Sequence, residues 1–319
     1  MSRRAEISDL GGGAHRVTMP LPWALDHIHC YALEDAQGWT IIDTGLGTPG
    51  TLRRWQDVLG RLGNPRIQRL VITHYHPDHV GCGALLAELV DPDEIVQGTL
   101  DAELCRKAWG GYDFELVFEH LHGNGMSVEL AREAADDEQS SLVQIPEPTL
   151  LVDEGDAIVI GGEDFRVLHL PGHADGHIAL LGESTGRLFG GDVILSKISP
   201  NIGRWEDTEF DPLGRYFTTL ERIAEFAPTI VHGGHRAPID DAPARAREIR
   251  ALHDDRLEVA LGALRNGASS AMGVAGVIWP GGHGVHERRF ALVEALAHLE
   301  RLVADGRAEF VEPNRFRAI

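Results

Sequence analysis

The chain has 319 residues, of which 43% are hydrophobic and 24% charged, ordinary values for a folded soluble protein with room for one large domain and a small one. The formal net charge of −20 is not ordinary, and it counts against a protein that grips nucleic acid over a broad basic surface. From Arg245 onward there are 11 basic and 10 acidic residues, which leaves 18 basic against 39 acidic before it; the body carries the acidity and the tail is near neutral.

Taken in order, Arg16 to Thr44 is rich in β-formers between turn residues and predicts two or three strands. The last, Trp39-Thr40-Ile41-Ile42, runs into Asp43-Thr44-Gly45, so Asp43 either caps that turn or supports a metal-binding histidine from outside. Leu52, Trp55, Leu59 and Leu62 mark one face of a helix. The apolar run Leu70-Val71-Ile72 reads as a buried strand, and T-H-Y-H-P-D-H (Thr73 to His79) follows at its carboxyl end, where α/β proteins place their sites. Imidazole nitrogen and carboxylate oxygen are ligands that a borderline divalent metal prefers. His74 and His76 are two apart, so on an extended segment they point the same way and can grip one ion. Asp78 and His79 follow on the turn into the next helix and face another direction, which suits a second ion. Val80 to Val90 then continues as an Ala/Leu-rich helix.

Leu100 to Ile145 breaks the strand–helix rhythm as an insertion. Phe114, Val117, Phe118 and Leu121 recur at helical spacing ahead of an acidic stretch that runs through Glu138. Such a stripe either packs a helix on the body or belongs to a lid over the site. Strands resume at Asp156 to Ile160 and Phe165 to Leu170. In H-L-P-G-H-A-D-G-H, His169, His173 and His177 are four apart, but Pro171, Gly172 and Gly176 oppose a helix; a Pro-Gly turn presents His173 at a strand end, and His177 reads as an outer partner. Arg187 to Phe189 leads into Gly190-Gly191-Asp192, and Thr229-Ile230-Val231 into His232-Gly233-Gly234-His235. Four strand ends in one chain, all carrying metal-ligand types, make a strong signal where each alone is weak.

This ordered set resembles the metallo-β-lactamase superfamily of hydrolases: T-H-Y-H-P-D-H, P-G-H at His173, G-G-D at Asp192 and G-G-H at His235, with D-T-G at Asp43 upstream, over roughly Arg16 to Ala244. The resemblance implies an α/β fold, a four-layer αβ/βα sandwich with a two-metal site on one edge. It implies that His74, His76 and His173 bind one metal, that Asp78, His79 and His235 bind the second, and that Asp192 bridges both. P-G-H-A-D-G-H together with Ser199-Pro200-Asn201-Ile202-Gly203 looks like a bacterial subgroup that also carries a small C-terminal winged-helix domain. The expected division is therefore a catalytic domain over 1–244, with the helical insertion at 100–145, and a winged-helix-like domain over 245–319. In that tail Ala246 to Leu264 reads as a long helix with Arg250, His253 and Arg256 on a polar face. Met272 to Trp279 reads as a shorter helix weakened by Gly273 and Gly276, Arg288 to Val303 as an amphipathic helix, and Ala308 to Val311 as an edge strand. The would-be recognition helix carries Glu294 and Glu300, so packing beside the active site or a homodimer contact fits it better than DNA.

The chemistry that the resemblance implies is a hydrolase with two divalent cations, zinc by default from ligand type with iron or manganese also suited. A metal-bridging hydroxide would attack a thioester, ester or lactone, and Asp78 would hold its proton. A single-strand endoribonuclease or other phosphodiesterase is the runner-up, disfavoured by the charge. An exported antibiotic-degrading β-lactamase is disfavoured by Asp192, and a glutathione-thioester hydrolase of the glyoxalase type by the tail. A non-catalytic metal-bound binding protein is disfavoured because all seven ligand positions are filled. Cys30, Cys82 and Cys105 form no C-x-x-C pair, no apolar segment follows Arg3 and Arg4, and no window approaches a membrane span; a soluble, cytoplasmic protein with reduced thiols and a small-molecule substrate is expected.

Overall fold

Two β-sheets lie face to face in the computed structural model, which describes residues 4–23, 25–111, 113–136, 142–281 and 284–319. The first sheet takes its seven strands in chain order: β1 (Glu6–Gly11), β2 (Ala14–Pro20), β3 (His27–Asp35), β4 (Gly38–Ile42), β5 (Ile67–Ile72), β6 (Glu94–Gly98) and β7 (Leu150–Val152). Pairings from β1 to β4 are antiparallel and need only turns, whereas those from β4 to β7 are parallel and need crossovers. Helix α1 (Pro49–Arg61) makes the first crossover, α2 (Pro77–Val80) and α3 (Gly83–Val90) the second, and α4 (Thr99–Trp109), α5 (Phe114–Gly123) and α6 (Val128–Ala135) the third. The second sheet is ordered β12 (Ile230–Gly233), β11 (Arg187–Gly191), β10 (Ile178–Gly182), β9 (Glu163–His169), β8 (Ala157–Ile160), antiparallel except between β11 and β12.

The layers follow from where side chains of alternate parity go. Tyr31, Val71 and Val96 of the first sheet meet Phe165, Val167 and Phe189 of the second in a core between the sheets. On the outer face of the first sheet, Ile41 and Leu70 pack against Trp55 and Val58 of α1 and Leu86 of α3. On the outer face of the second, Leu168, Ala179 and Val231 pack against Leu213, Tyr216 and Leu220 of α7 (Pro212–Phe226). Helix, sheet, sheet, helix is thus a mixed α/β sandwich, as expected.

Three departures from the sequence reading have local causes. Strand β1 lies ahead of the β-rich stretch, joined to β2 through Gly11, Gly12 and Gly13, all at positive φ. The helix expected over 80–90 is interrupted at Gly81–Cys82. There the Cys82 amide donates to the Gly45 carbonyl at 2.7 Å, and the Gly81 carbonyl accepts from Gln144 at 2.8 Å, so both leave the helical ladder. The stripe on α5 packs: Val117 and Leu121 are buried in the cluster that holds the C-terminal helices. The end of the acidic stretch, including Glu138, lies outside the described residues.

The tail forms α8 (Ala242–Arg265), α9 (Ala271–Ile278) and α10 (Val285–Ala304), then a hairpin of β13 (Ala308–Glu312) and β14 (Arg315–Ala318). Leu257, Leu292, Leu296 and Leu299 share one core with Leu213 and Tyr216, so apolar packing runs unbroken across residue 245. The polar face assigned to α8 needs correction: His253 is fully buried, because Ser199 and His298 supply partners for both ring nitrogens. Glu294 and Glu300 are also buried, against Arg256 and Arg204. Cys30, Cys82 and Cys105 are buried free thiols. Among the described residues no helix is long and apolar enough to cross a membrane.

Candidate metal centre

The site is built where strands stop. Strand β5 ends at Ile72, and Thr73 there donates its amide to Asp43 Oδ1 at 2.9 Å and its hydroxyl to the same carboxylate. Asp43 sits just past β4 at φ 59°, a left-handed backbone that turns its carboxylate under the β5 turn. The Trp55 indole donates to the Thr44 carbonyl at 2.8 Å and pins that turn to α1. From this base His74 and His76 project together, and α2 carries Asp78 and His79.

All seven expected residues converge. His74, His76 and His173 offer ligand atoms mutually within 4.8 Å, and so do His74, His79 and Asp192, and Asp78, His79 and His235. The His76 Nδ1 atom lies 2.8 Å from His173 Nε2 and 3.1 Å from His74 Nε2. Asp192 Oδ2 lies 3.3 Å from His235 Nε2, 3.6 Å from His79 Nε2 and 3.7 Å from His173 Nε2, between the two sets. Glycine makes this approach feasible: a Cβ on Gly234 would fall 2.5 Å from Asp192 Oδ1 and 2.7 Å from His79 Cε1.

The outward hydrogen bonds decide which ring nitrogens face inward bare. His173 Nδ1 donates to the Asn201 carbonyl at 2.8 Å, His235 Nδ1 to the His27 carbonyl at 2.7 Å, and His79 Nδ1 to Asp43 Oδ2 at 2.7 Å. His74 Nδ1 donates to Thr73 Oγ1 at 3.0 Å, since that hydroxyl directs its own proton to Asp43. Each partner is an acceptor, so each ring keeps its proton on Nδ1 and points an Nε2 lone pair at the centre. Four Nε2 lone pairs turned into one small space repel unless a proton or a cation lies among them. His79 Nε2 and Asp192 Oδ1, both buried, have no hydrogen-bond partner among the described residues. This donor set fits divalent metal ions of the nitrogen- and oxygen-loving kind.

The electrostatics divide the rings into two groups. Burial and the neighbouring rings hold His74 and His76 well below the usual histidine range, hence neutral. Burial pulls His235 and His79 down, but neighbouring carboxylates outweigh it, lifting His235 to about 10 and His79 well above the usual histidine range, so without a cation a proton takes the inward Nε2 of these two rings. Burial likewise opposes ionisation of Asp192, yet His235 and His79 keep it well below the carboxylate range.

The other histidines take different places. His177 accepts the Asp192 amide at 3.1 Å on Nε2 and stacks on His74 with centroids 4.4 Å apart, an outer position as expected. His169 turns to the Asp175 carbonyl, and His232 packs between Tyr31 and Phe189 in the inter-sheet core. Sequence reasoning missed Asp101, buried on α4. Its Oδ1 accepts the Tyr75 amide at 3.0 Å, between His74 and His76, and its Oδ2 accepts from Gln97 at 2.7 Å. It also missed the role of Asn201 as the acceptor for His173. Neither residue type carries a signal of that use.

Residues 23–249 match the family described as the metallo-beta-lactamase superfamily. The chain belongs to this superfamily. Residues 257–316 of this superfamily member match a second description, metallo-beta-lactamase-like, C-terminal domain. Over 306 residues it is 29% identical to a probable metallo-hydrolase, YqjP, of Bacillus subtilis, covering 91% of this chain and 92% of that one. Among solved structures it resembles the metallo-beta-lactamase family protein TTHA1429 of Thermus thermophilus, at 30% identity and a TM-score of 0.84, covering 98% of this chain and 100% of that one. It also resembles a beta-lactamase domain protein of Burkholderia ambifaria, at 29% identity and a TM-score of 0.88, over 98% and 94% of the two chains. The protein is a metallo-hydrolase of this superfamily.

Proposed function

We propose that this metallo-hydrolase holds two divalent cations, zinc by default, and cleaves a carbonyl substrate of the thioester, ester or lactone class. In this reading His74, His76 and His173 hold one ion, Asp78, His79 and His235 the other, and Asp192 joins them. The carrying observation is the single oxygen, Asp192 Oδ2, within 3.3–3.7 Å of ring nitrogens from both sets. Cations held by these residues would supply Lewis acidity, enough to lower the pKa of a water and to polarise a carbonyl. Asp78, partly exposed where His79, His235 and Asp192 are buried, lies 3.3 Å from His235 Nε2 and would accept and orient a proton there. No side-chain nucleophile is required.

The tail supports a small-molecule substrate over nucleic acid. Three helices followed by a two-stranded hairpin have the order of a winged helix, and we assign 245–319 to such a unit beside a catalytic unit over 1–244. The second half of its third helix, α10, is buried continuously from Leu292 to Glu300, which leaves the first turns, with His286, Glu287 and Phe290 exposed, as the part that could meet a partner. With a net charge of −20, broad phosphate binding is disfavoured as well.

Metal analysis together with a parallel panel of acyl-thioesters, lactones and single-stranded RNA tests the reading. Two ions per chain, and carbonyl hydrolysis abolished by Asp78→Ala, are expected. A reproducible value of one ion, or RNA cleavage with no carbonyl hydrolysis, would overturn it.

A further inference from the structure

The loop between β11 and α7 is held at several points by the C-terminal helices. Arg245 of α8 donates to the carbonyls of Leu195 at 2.7 Å and Ile198 at 3.1 Å. Asn201 Nδ2 donates to Glu294 Oε2 of α10 at 2.9 Å, and Glu294 Oε1 accepts from Arg256 of α8 at 2.6 Å. The Arg204 amide donates to the Val293 carbonyl at 2.9 Å. This same loop carries the Asn201 carbonyl that accepts from His173 Nδ1. A continuous path therefore runs Arg256, Glu294, Asn201, His173.

A second cluster, His253, Glu294 and His298, stands beside this path and has the donor types of a metal site. Its hydrogen bonds show a different use. His298 Nδ1 donates to the Glu294 carbonyl at 2.7 Å, which leaves its Nε2 bare to accept from His253 Nδ1 at 3.1 Å; His253 Nε2 then accepts from the Ser199 hydroxyl at 2.8 Å. Every ring nitrogen is satisfied with both rings neutral, so no cation is called for. Burial, which lowers His253 to about 2 and His298 to about 4, keeps them so. The cluster is a lock on Ser199, two residues before Asn201.

We infer that the C-terminal helices are a positioning device for the metal centre: Glu294 and Asn201 fix the carbonyl that sets the ring and tautomer of His173. The inference rests on His173 being a metal ligand. A tether of this kind acts through ligand orientation, and losing such an outer partner typically weakens metal binding about 10–100-fold.

Cobalt(II) titration of the metal-free protein with a competing chelator tests it, alongside thermal unfolding of the metal-free form. Asn201→Ala keeps the backbone carbonyl and the Glu294–Arg256 pair but cuts the tether. One of two cobalt ions should bind about 10–100-fold more weakly with an altered ligand-field spectrum, and the other should be unchanged. Glu294→Ala should do the same, whereas Glu294→Gln, which keeps an acceptor for Asn201 only by setting its amide nitrogen against Arg256, should restore the affinity in part. Should Glu294→Ala fail to fold, Asn201→Ala decides alone. Wild-type affinity at both sites in Asn201→Ala, with only a lower unfolding temperature, would make the tether merely structural and overturn the inference. His173→Ala separates the two levels: if it binds both ions like the wild type, the ligand assignment itself fails, and with it the basis of the inference. If it loses one ion while Asn201→Ala loses none, the tether alone fails.

Discussion

His79 Nδ1 lies 2.7 Å from Asp43 Oδ2 with both side chains buried, and that contact joins the end of β4 to the helix that follows β5. Both oxygens of Asp43 accept from N–H groups, Oδ1 from the Thr73 amide and Oδ2 from His79. An asparagine there must set its amide nitrogen against one of the two donors. His79 can relieve the clash only by moving its proton to Nε2, the nitrogen that faces the centre. Asp43→Asn should therefore fold near normally but hold one ion about 10–100-fold more weakly, with the His79 tautomer reversed in nitrogen NMR. Asp43→Ala strands three buried donors, the Thr73 amide and hydroxyl and His79 Nδ1, and should cost about 3–9 kcal/mol at about 1–3 kcal/mol each, read by denaturant unfolding.

Removal of metal should cost stability in proportion to binding. Inward lone pairs on His74, His79, His173 and His235 and the carboxylate of Asp192 repel or must protonate once no cation joins them. Chelation should lower the unfolding temperature, and added metal should restore it. At a free concentration about 100 times the dissociation constant, the gain is about 2.7 kcal/mol for one site. An unfolding temperature insensitive to chelator and metal would contradict the centre as drawn.

Asp101 makes a prediction with a definite sign in pH. Burial lifts its carboxyl to about 8, against the opposing pull of Gln97 and the Tyr75 amide. A carboxyl raised in the fold binds more protons folded than unfolded, so its contribution is complete below about 4 and is lost as pH rises through about 8. Asn lacks this dependence. Asp101→Asn should match the wild type in unfolding free energy near pH 5 and become relatively more stable by about pH 9. The comparison uses metal-free protein so that ligand titration cancels. A difference that stays flat with pH would mean that Asp101 is ionised in the fold.

What the sequence disclosed and what it hid divide along contact range and residue type. His74, His76, Asp78 and His79 sit within six residues behind an apolar strand, and His173, Asp192 and His235 each follow a strand with glycine beside them, so local pattern sufficed to bring them to one place. Asp101 and Asn201 act on residues 26 and 28 positions away, through a backbone amide and a carbonyl that any side chain could offer. The polar face drawn on α8 failed at His253 for a related reason: periodicity counts a histidine as polar, and only Ser199 and His298 make its burial tolerable. Strand β1 was hidden because its alternation is weak, with glutamate, serine and aspartate among its residues.

Gly234 gives the sharpest steric prediction. Its amide donates to the Gly191 carbonyl at 2.7 Å and its carbonyl accepts from the His29 amide at 2.7 Å, so the backbone cannot retreat from the centre. A methyl group there meets Asp192 at 2.5 Å, His79 at 2.7 Å and Ile28 at 3.2 Å. The side chains must yield, and the one with no outward anchor on the contacted atom is Asp192, whose Oδ1 lacks a hydrogen-bond partner among the described residues. Gly234→Ala should cost about 1–3 kcal/mol of overpacking and, beyond that, displace the oxygen that lies between the two sets of ligands. Metal content should drop below two ions per chain while circular dichroism stays native. Gly276→Ala in α9, where an added Cβ meets nothing within 4 Å, is the matched control and should gain up to about 1 kcal/mol of stability from helix propensity with metal content unchanged. Two ions retained in Gly234→Ala would show that Asp192 is not held by this glycine.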